Sequence, residues 1–215
     1  LAGLPDGGRV VDVGAGTGTF ALAAAAARPD AEIVAVDGDP EALRLAEAKT
    51  GSERVRWRVG MADRLPLEDA SADALTMSLL LHHLASTVKR AALVEALRVL
   101  RPGGGLHVAD WGRPRGPLPR AGFLLLRALD GFENTRDHAA GRLPALVAAA
   151  GFDDVVTWRA IRTPWGRLEL TSAAAGLSAG QAVGHLQAGA EEEALAPPHS
   201  TAQRERPDSN RRPPA

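Results

Sequence analysis

The sequence lacks cysteine and tyrosine altogether, and it has two methionines and few aromatic residues among its 215 positions. Without cysteine there is neither a disulfide framework nor a thiolate metal site, and a reducing, cytoplasmic setting is the simplest interpretation. No apolar run approaches the roughly 20 residues that a membrane-spanning helix needs, and the first residues show no basic-then-apolar leader. We therefore expect no membrane span and no secretory signal.

The chain also lacks an excess of charge, with 25 Lys and Arg against 26 Asp and Glu and a formal net charge of -1. This balance gives no electrostatic reason to expect nucleic acid or an anionic membrane as a partner. The length suffices for one ordinary domain, which we predict over residues 1–175. Residues 176–215 are rich in polar residues, glycine and proline and predict a disordered low-complexity tail.

Short apolar runs alternate with helical patterns along most of the chain. Strands are predicted over 9–13, 32–36, 55–59, 74–78 and 106–109, and helices over 18–27, 40–49, 86–100, 118–131 and 138–150. This alternation favours a parallel sheet covered on both faces. Two further strands, 155–162 and 168–172, are separated by a gap too short for a crossover helix and must be antiparallel. The predicted fold is α/β, a Rossmann-like doubly wound sheet of seven strands, mostly parallel with one antiparallel strand near the C-terminal edge.

A glycine-rich stretch, VVDVGAGTGTF, joins the first predicted strand to the first helix. Its glycines allow a tight turn and close backbone approach, and a helix N-terminus favours an electron-rich ligand group. Asp37 ends the second strand 23 residues after Gly14, and an acid near this spacing binds ribose hydroxyls in doubly wound folds. Asp12, which precedes the loop, either caps it or accepts a hydrogen bond from an ammonium group.

The dinucleotide-binding pattern would place a third glycine at position 19, where the chain has Thr19. The absence of tyrosine also removes the acid that many nicotinamide-dependent oxidoreductases use. An NAD-dependent oxidoreductase is therefore the less favoured alternative.

The glycine loop with Asp37 resembles motif I and the following acidic position of class I S-adenosylmethionine-dependent methyltransferases. The stretches GMADRLPLEDASADALTMSLLLHHL and ALRVLRPGGGLHVADWG resemble that family's later strand ends, so that the resemblance spans residues 9–174. The similarity is greatest to small-molecule methyltransferases of the ubiquinone/menaquinone biosynthesis type. It implies S-adenosyl-L-methionine as the cofactor and a small-molecule methyl acceptor.

The resemblance assigns cofactor contacts to Asp12, Gly14, Ala15, Gly16, Gly18, Asp37, Gly38, Met61, Ala62 and Ser78. It implies that Asp12 meets the methionine ammonium, that the glycine loop lines the methionine and ribose, and that Asp37 holds both ribose hydroxyls. Gly38 and Ala62 would lie beside the adenine, and the backbone of Ser78 would approach the methionine part. Many relatives have an aspartate where this chain has Met61, so we expect Met61 to pack on the adenine face, with Asp63 or a backbone group contacting the adenine amino group.

The end of the fourth strand supplies the substrate-side candidates, His82 and His83, with Trp111 as a wall residue. Each histidine either packs the loop or serves as a base or acceptor contact, and no catalytic residue is assigned. No third His, Cys or acid stands at a convincing ligand spacing, so we expect no metal site. His107 is expected to face outward or to pack under a helix, and His138, His185 and His199 to lie on the surface or in the tail.

The predicted helix after the fifth strand would cover the substrate side, where its Leu and Phe residues favour an apolar or aromatic acceptor or else serve core packing. The expected activity is methyl transfer from S-adenosylmethionine to a small molecule. The alternative is a relative that binds this cofactor but is truncated or inactive, since only eight residues precede the first strand and the chain begins with Leu1. Nothing in the sequence indicates an oligomeric state.

Overall fold

The computed structural model describes residues 3–163 and 166–176. Seven strands and six α-helices occupy this part of the chain. The strands are β1 (Arg9–Val13), β2 (Glu32–Asp37), β3 (Val55–Val59), β4 (Ala72–Ser78), β5 (Leu100–Gly112), β6 (Phe152–Thr163) and β7 (Gly166–Ala175). The helices are α1 (Thr19–Ala27), α2 (Pro40–Glu47), α3 (Ser86–Val99), α4 (Pro117–Asp130), α5 (Arg136–Ala140) and α6 (Leu143–Ala149). The predicted tail lies outside the described residues.

The seven strands form one sheet in the order β3-β2-β1-β4-β5-β7-β6. Strands β1 to β5 pair in parallel, whereas β7 is antiparallel to both of its neighbours, β5 and β6. The prediction of a mostly parallel sheet with one reversed strand near its C-terminal edge is confirmed. The order turns back between β1 and β4, and in open α/β sheets such a switch point opens a crevice at the carboxyl ends of the strands.

Apolar side chains on both faces of the sheet account for its helical cover. On one face, small residues of α1 pack on Val10 and Ile33, and on the other, Leu93 and Leu97 belong to a larger cluster with Leu75. The alanine-rich sequence of α1 lets that helix lie close to the sheet, since its buried residues are all alanines. Both faces of the central strands are therefore buried, as the continuous apolar runs indicate.

Two of the predicted elements differ markedly from the observed ones. Strand β5 is 13 residues long rather than four, because its ladder to β7 continues to Gly112 beyond the apolar run. The predicted helix over 138–150 is two helices, α5 and α6. Gly141 ends α5 with a φ of 70°, and Pro144 stands in the first turn of α6.

A fully buried lysine ties α3 to the chain that follows α4. Lys89 donates a hydrogen bond to the carbonyl of Asn134, and its Nζ lies 3.7 Å from Asp137 Oδ2. Ser86 also donates to Asp137 Oδ2, at 2.5 Å. Burial lowers the pKa of Lys89, and the charge of Asp137 opposes that effect. Because both side chains are buried, water cannot solvate either charge in place of its partner. The pair therefore holds α5 against α3.

In the part of the chain that the structure describes, no helix has the length and apolar character that crossing a membrane would require.

We predict that Lys89→Ala destabilises the fold by roughly 3 kcal/mol, because it leaves the buried Asp137 carboxylate without its cation. Urea unfolding at neutral pH measures the effect. The control is Arg90→Ala, which removes an exposed cation from the same helix and should change stability by under about 0.5 kcal/mol. Equal effects of the two substitutions would contradict the anchoring role of Lys89.

Candidate functional site

The glycine loop after β1 turns back on the end of β2. The backbone amides of Gly14 and Ala15 both donate to the Val36 carbonyl, at 2.8 and 3.2 Å. The loop then enters α1, where the amide of Gly18 donates to the Ala15 carbonyl. These bonds place the loop at the carboxyl ends of β1 and β2, where the crevice is expected.

Two glycines of this loop have no room for a side chain. Gly14 has a φ of 71°, and a Cβ atom there would lie 2.7 Å from a methyl carbon of Leu80. Gly18 has a φ of 79°, and its Cβ would lie 2.4 Å from the ring of Trp57. Any larger residue would combine a left-handed backbone with a clash, so the loop conformation depends on glycine at both positions.

Asp12 is a buried carboxylate with one unpaired oxygen. It lies opposite Thr76 on the neighbouring strand β4, and the Thr76 hydroxyl donates to Asp12 Oδ1 at 2.8 Å. Oδ2 has no hydrogen-bond partner among the described residues, and the side chain is 1% exposed. Burial, aided by the nearby charge of Asp37 and opposed by the Thr76 bond, raises the pKa of Asp12 to about 7. An ammonium group would supply the missing donor.

Asp37 closes the other side of the loop. Its Oδ2 accepts from the Gly16 amide at 2.7 Å and its Oδ1 from the Asp39 amide at 2.8 Å. A carboxylate offers about four acceptor positions, so each oxygen can still accept one hydroxyl. The glycine loop therefore orients Asp37, the residue predicted to bind a diol, and the ligand would contact this same loop.

Gly38 and Met61 lie against each other beside Asp37. A Cβ on Gly38 would meet Met61 Sδ at 2.8 Å, and Met61 itself is 59% exposed. A turn in which the Arg64 amide donates to the Met61 carbonyl presents this side chain, while Ala62 packs against the core. The surface suits the flat face of an aromatic ring. Asp63 is exposed at the same turn.

Ser78 ends β4 and lies in a groove that begins at Thr76, next to Asp12. Phe20 and Trp158 also line this groove, together with His107, Val108, Ala109, Leu170, Thr171 and Ser172. His107 is half-buried, and its Nδ1 lies 3.0 Å from the Ser172 hydroxyl. It therefore faces the groove, which Phe20 of α1 also lines.

The substrate-side candidates come together just beyond β4. His82 is buried with its Nδ1 2.8 Å from Asp110 Oδ1, whereas His83 is half-exposed. The ring of Trp111 stands edge-on to that of His82, with centroids 6.4 Å apart. Between α3 and α4, these side chains form a second end of the crevice, away from Asp12.

The prediction that His138 lies on the surface is wrong. Its side chain is 0% exposed, and its Nε2 lies 3.6 Å from Asp110 Oδ1. Helix α5 packs against β5 and carries the ring inward. Burial raises the pKa of Asp110, but the close approach of His138 and the hydrogen bond with His82 outweigh it and hold the pKa well below its usual range. The other two histidines expected outside, His185 and His199, lie outside the described residues.

Asp130 is the residue that sequence reasoning missed. Its two carboxylate oxygens lie 3.8 Å from His82 Nε2 and 3.5 Å from His83 Nδ1. The sequence analysis found no third acid at a suitable spacing, and the fold supplies one from the end of α4. A separation of 47 residues gives no local pattern that would have indicated it.

The chain is similar in sequence to known methyltransferases. The profile of the family described as "Methyltransferase domain" matches residues 10–104. The chain is 34% identical, over 69% of its length, to the ubiquinone/menaquinone biosynthesis C-methyltransferase of Rubrivivax gelatinosus, and 40% identical, over 54%, to the demethylmenaquinone methyltransferase of Deinococcus radiodurans. It spans 64% and 48% of the length of these two curated relatives.

The fold is similar to that of solved structures as well. A crystal structure of a SAM-dependent methyltransferase from Methanosarcina mazei superimposes with a TM-score of 0.65 at 22% identity. The alignment covers 81% of this chain and 95% of that one. The seven-stranded architecture is thus shared with this class of protein.

The raised pKa of Asp12 predicts a stability that falls as the pH rises. The unfolded residue ionises near pH 3.8 and the folded one near pH 7, so the folded state binds the additional proton between these values. Relative to Asp12→Asn, the wild type should lose up to about 4 kcal/mol between pH 4 and pH 8. Urea unfolding across this range measures the difference.

The control for this titration is Asp63→Asn, which removes an exposed carboxylate from a neighbouring loop. Its stability should follow the wild-type profile. Wild-type and Asp12→Asn profiles that run parallel from pH 4 to pH 8 would show that Asp12 does not titrate in this range.

Proposed function

Since the chain belongs to the class I S-adenosylmethionine-dependent methyltransferases, we propose that it binds S-adenosylmethionine in the crevice and transfers its methyl group to a small-molecule acceptor. The observation that carries the proposal is the unpaired, buried Oδ2 of Asp12 beside a glycine loop. The methionine ammonium is a donor that would satisfy this oxygen. No other described side chain reaches it.

Three further features support this ligand. The Asp37 carboxylate has an acceptor position left on each oxygen for the two ribose hydroxyls. Gly38 and Met61 offer an apolar face for adenine, with Ala62 behind them. The groove past Thr76 continues along β4, so that Ser78 lies beyond Asp12 on the methionine side.

The charges around the loop also distinguish this ligand from a dinucleotide. Asp37 lies close enough to Asp12 for its charge to raise the pKa of Asp12. Two carboxylates at the glycine loop would repel a pyrophosphate, whereas they attract a ligand that carries an ammonium and a sulfonium. This electrostatic pattern disfavours the oxidoreductase alternative.

S-adenosylmethionine, when bound, supplies a methyl group that is already activated on a sulfonium. The protein then has to align the acceptor and exclude water. His82, His83 and Trp111 lie at the carboxyl ends of β4 and β5 and would contact the acceptor. Leu80 packs on Gly14 between the two ends of the crevice, so the reacting atoms would meet near this side chain.

The acceptor that we propose is a small aromatic compound methylated at a ring carbon. The Deinococcus relative is named for methylation of demethylmenaquinone, and the Rubrivivax relative is named as a C-methyltransferase of ubiquinone/menaquinone biosynthesis. Helix α4 buries Phe123 but leaves Leu124, Leu125 and Leu129 half or more exposed. Core packing therefore explains only part of its apolar sequence, and the remainder supports an apolar acceptor.

We predict that Asp37→Ala weakens binding of S-adenosylhomocysteine by at least about 100-fold, because two hydrogen bonds to a charged acceptor are lost at roughly 1.5–3 kcal/mol each. Isothermal titration calorimetry measures the affinity. Asp37→Asn keeps one acceptor oxygen for a loop amide, so it distinguishes the loss of ligand hydrogen bonds from disordering of the loop. Its affinity should lie between those of the wild type and Asp37→Ala. The matched control is Asp39→Asn, which keeps a residue suited to capping α2 and should bind within about threefold of the wild type. A loss under about threefold in Asp37→Ala would contradict the assignment.

Transfer of a tritiated methyl group from S-adenosylmethionine to a panel of hydroquinones, naphthalenediols, aromatic amines and thiols tests the acceptor class. We expect label in an organic-extractable product whose new methyl group is on a ring carbon by NMR. Transfer only to amines or thiols would overturn the acceptor, and cofactor binding without transfer to any acceptor would indicate a binding protein instead.

A further inference from the structure

The side chains of His82, His83 and Asp130 converge at the acceptor end of the crevice. One nitrogen from each histidine and a carboxylate oxygen of Asp130 all lie within 4.8 Å of one another. We propose that these three side chains bind a divalent transition-metal cation of the zinc type. The binding of this ion is independent of the proposed methyl transfer, because it requires neither cofactor nor acceptor.

The donor set suits this class of ion. Two imidazoles and a carboxylate are ligands for Zn²⁺, Fe²⁺, Co²⁺ and Ni²⁺, whereas Mg²⁺ and Ca²⁺ prefer oxygen alone. Three protein ligands are also the number found where a fourth position is left for water or substrate. A site at the surface of the crevice, with His83 half-exposed, leaves such a position open.

The distances require only small adjustments. Bonds of about 2.0–2.1 Å in tetrahedral geometry separate the ligand atoms by roughly 3.3 Å. The observed separations are 3.5 Å for His83 Nδ1 to Asp130 Oδ1 and 3.8 Å for His82 Nε2 to Asp130 Oδ2. Both lie just beyond hydrogen-bonding distance. The three groups therefore face a common point without being bonded directly to each other.

The orientation of His82 is the second observation that points to a ligand. Its Nδ1 lies 2.8 Å from Asp110 Oδ1, and this carboxylate also accepts from the Trp111 amide at 2.7 Å. A carboxylate that accepts from Nδ1–H leaves the lone pair on Nε2, which is the nitrogen facing Asp130. A histidine held by a carboxylate through its other nitrogen is the usual environment of a metal-ligating imidazole.

Removal of bound metal from the untagged 215-residue chain, followed by titration with Co²⁺ and Zn²⁺, tests the proposal. We expect one Co²⁺ per chain with d–d absorption, and one Zn²⁺ with a Kd of about 10 μM or below by calorimetry. His83→Ala and Asp130→Asn should each weaken Zn²⁺ binding by about 30-fold or more, and Asp110→Asn by about 10-fold through the orientation of His82. Added Zn²⁺ should raise the Tm of the wild type and leave that of Asp130→Asn unchanged.

The matched control is His107→Ala, which removes a half-buried histidine outside the cluster and should retain wild-type affinity. His185 and His199 are present in every variant, so losses in His83→Ala and Asp130→Asn assign the ion to the cluster. Absence of stoichiometric binding at 0.1 mM Zn²⁺ would overturn the proposal. Binding that both variants retain would overturn it as well, because the ion would then lie elsewhere.

Discussion

The arrangement of the crevice depends on the Asp12 carboxylate, which is buried with only one of its oxygens bonded. Burying a charge without a partner is costly, and the raised pKa of this residue expresses that cost. The sheet nevertheless holds Asp12 in place, because β1 pairs with strands on both sides and Thr76 lies opposite on β4. The buried carboxylate therefore lowers the stability of the fold, and a bound cationic ligand would offset that cost. If the proposed function is right, the sheet holds the ammonium-binding carboxylate in place before any ligand binds.

Asp37 is held in a different way, although both acids serve the same loop. It lies at the end of β2, and two backbone amides donate to it, one from the loop and one from the start of α2. These bonds orient the carboxylate and also fix the loop. Asp12 thus contributes an unsatisfied charge and Asp37 an oriented one. Under the proposed function, Asp12 would bind the ammonium of the ligand and Asp37 its diol.

Much of the cofactor end could be predicted from sequence, because its residues follow strands whose order and direction the apolar pattern reveals. The glycine loop, Asp12, Asp37 and Ser78 all stand where a strand ends. The acceptor end could not be predicted to the same extent. Asp130 reaches His82 and His83 only through the packing of α4, and His138 is buried because α5 folds under β5. A local sequence pattern cannot predict either contact, because each joins residues that are more than 25 positions apart.

This difference follows from how the two ends are supported. The cofactor end rests on backbone hydrogen bonds of a parallel sheet, in which register leaves little freedom. The acceptor end rests on side chains, with Asp110 joining β5 to His82 and His138, and with Lys89 and Asp137 holding α5 against α3. Side-chain contacts can be exchanged without disturbing the sheet. Under the proposed function, a change of acceptor or of metal ligation would require substitutions in the segment after β4, at the end of β5 and in α4, while Asp12 and Asp37 stay fixed by the strands.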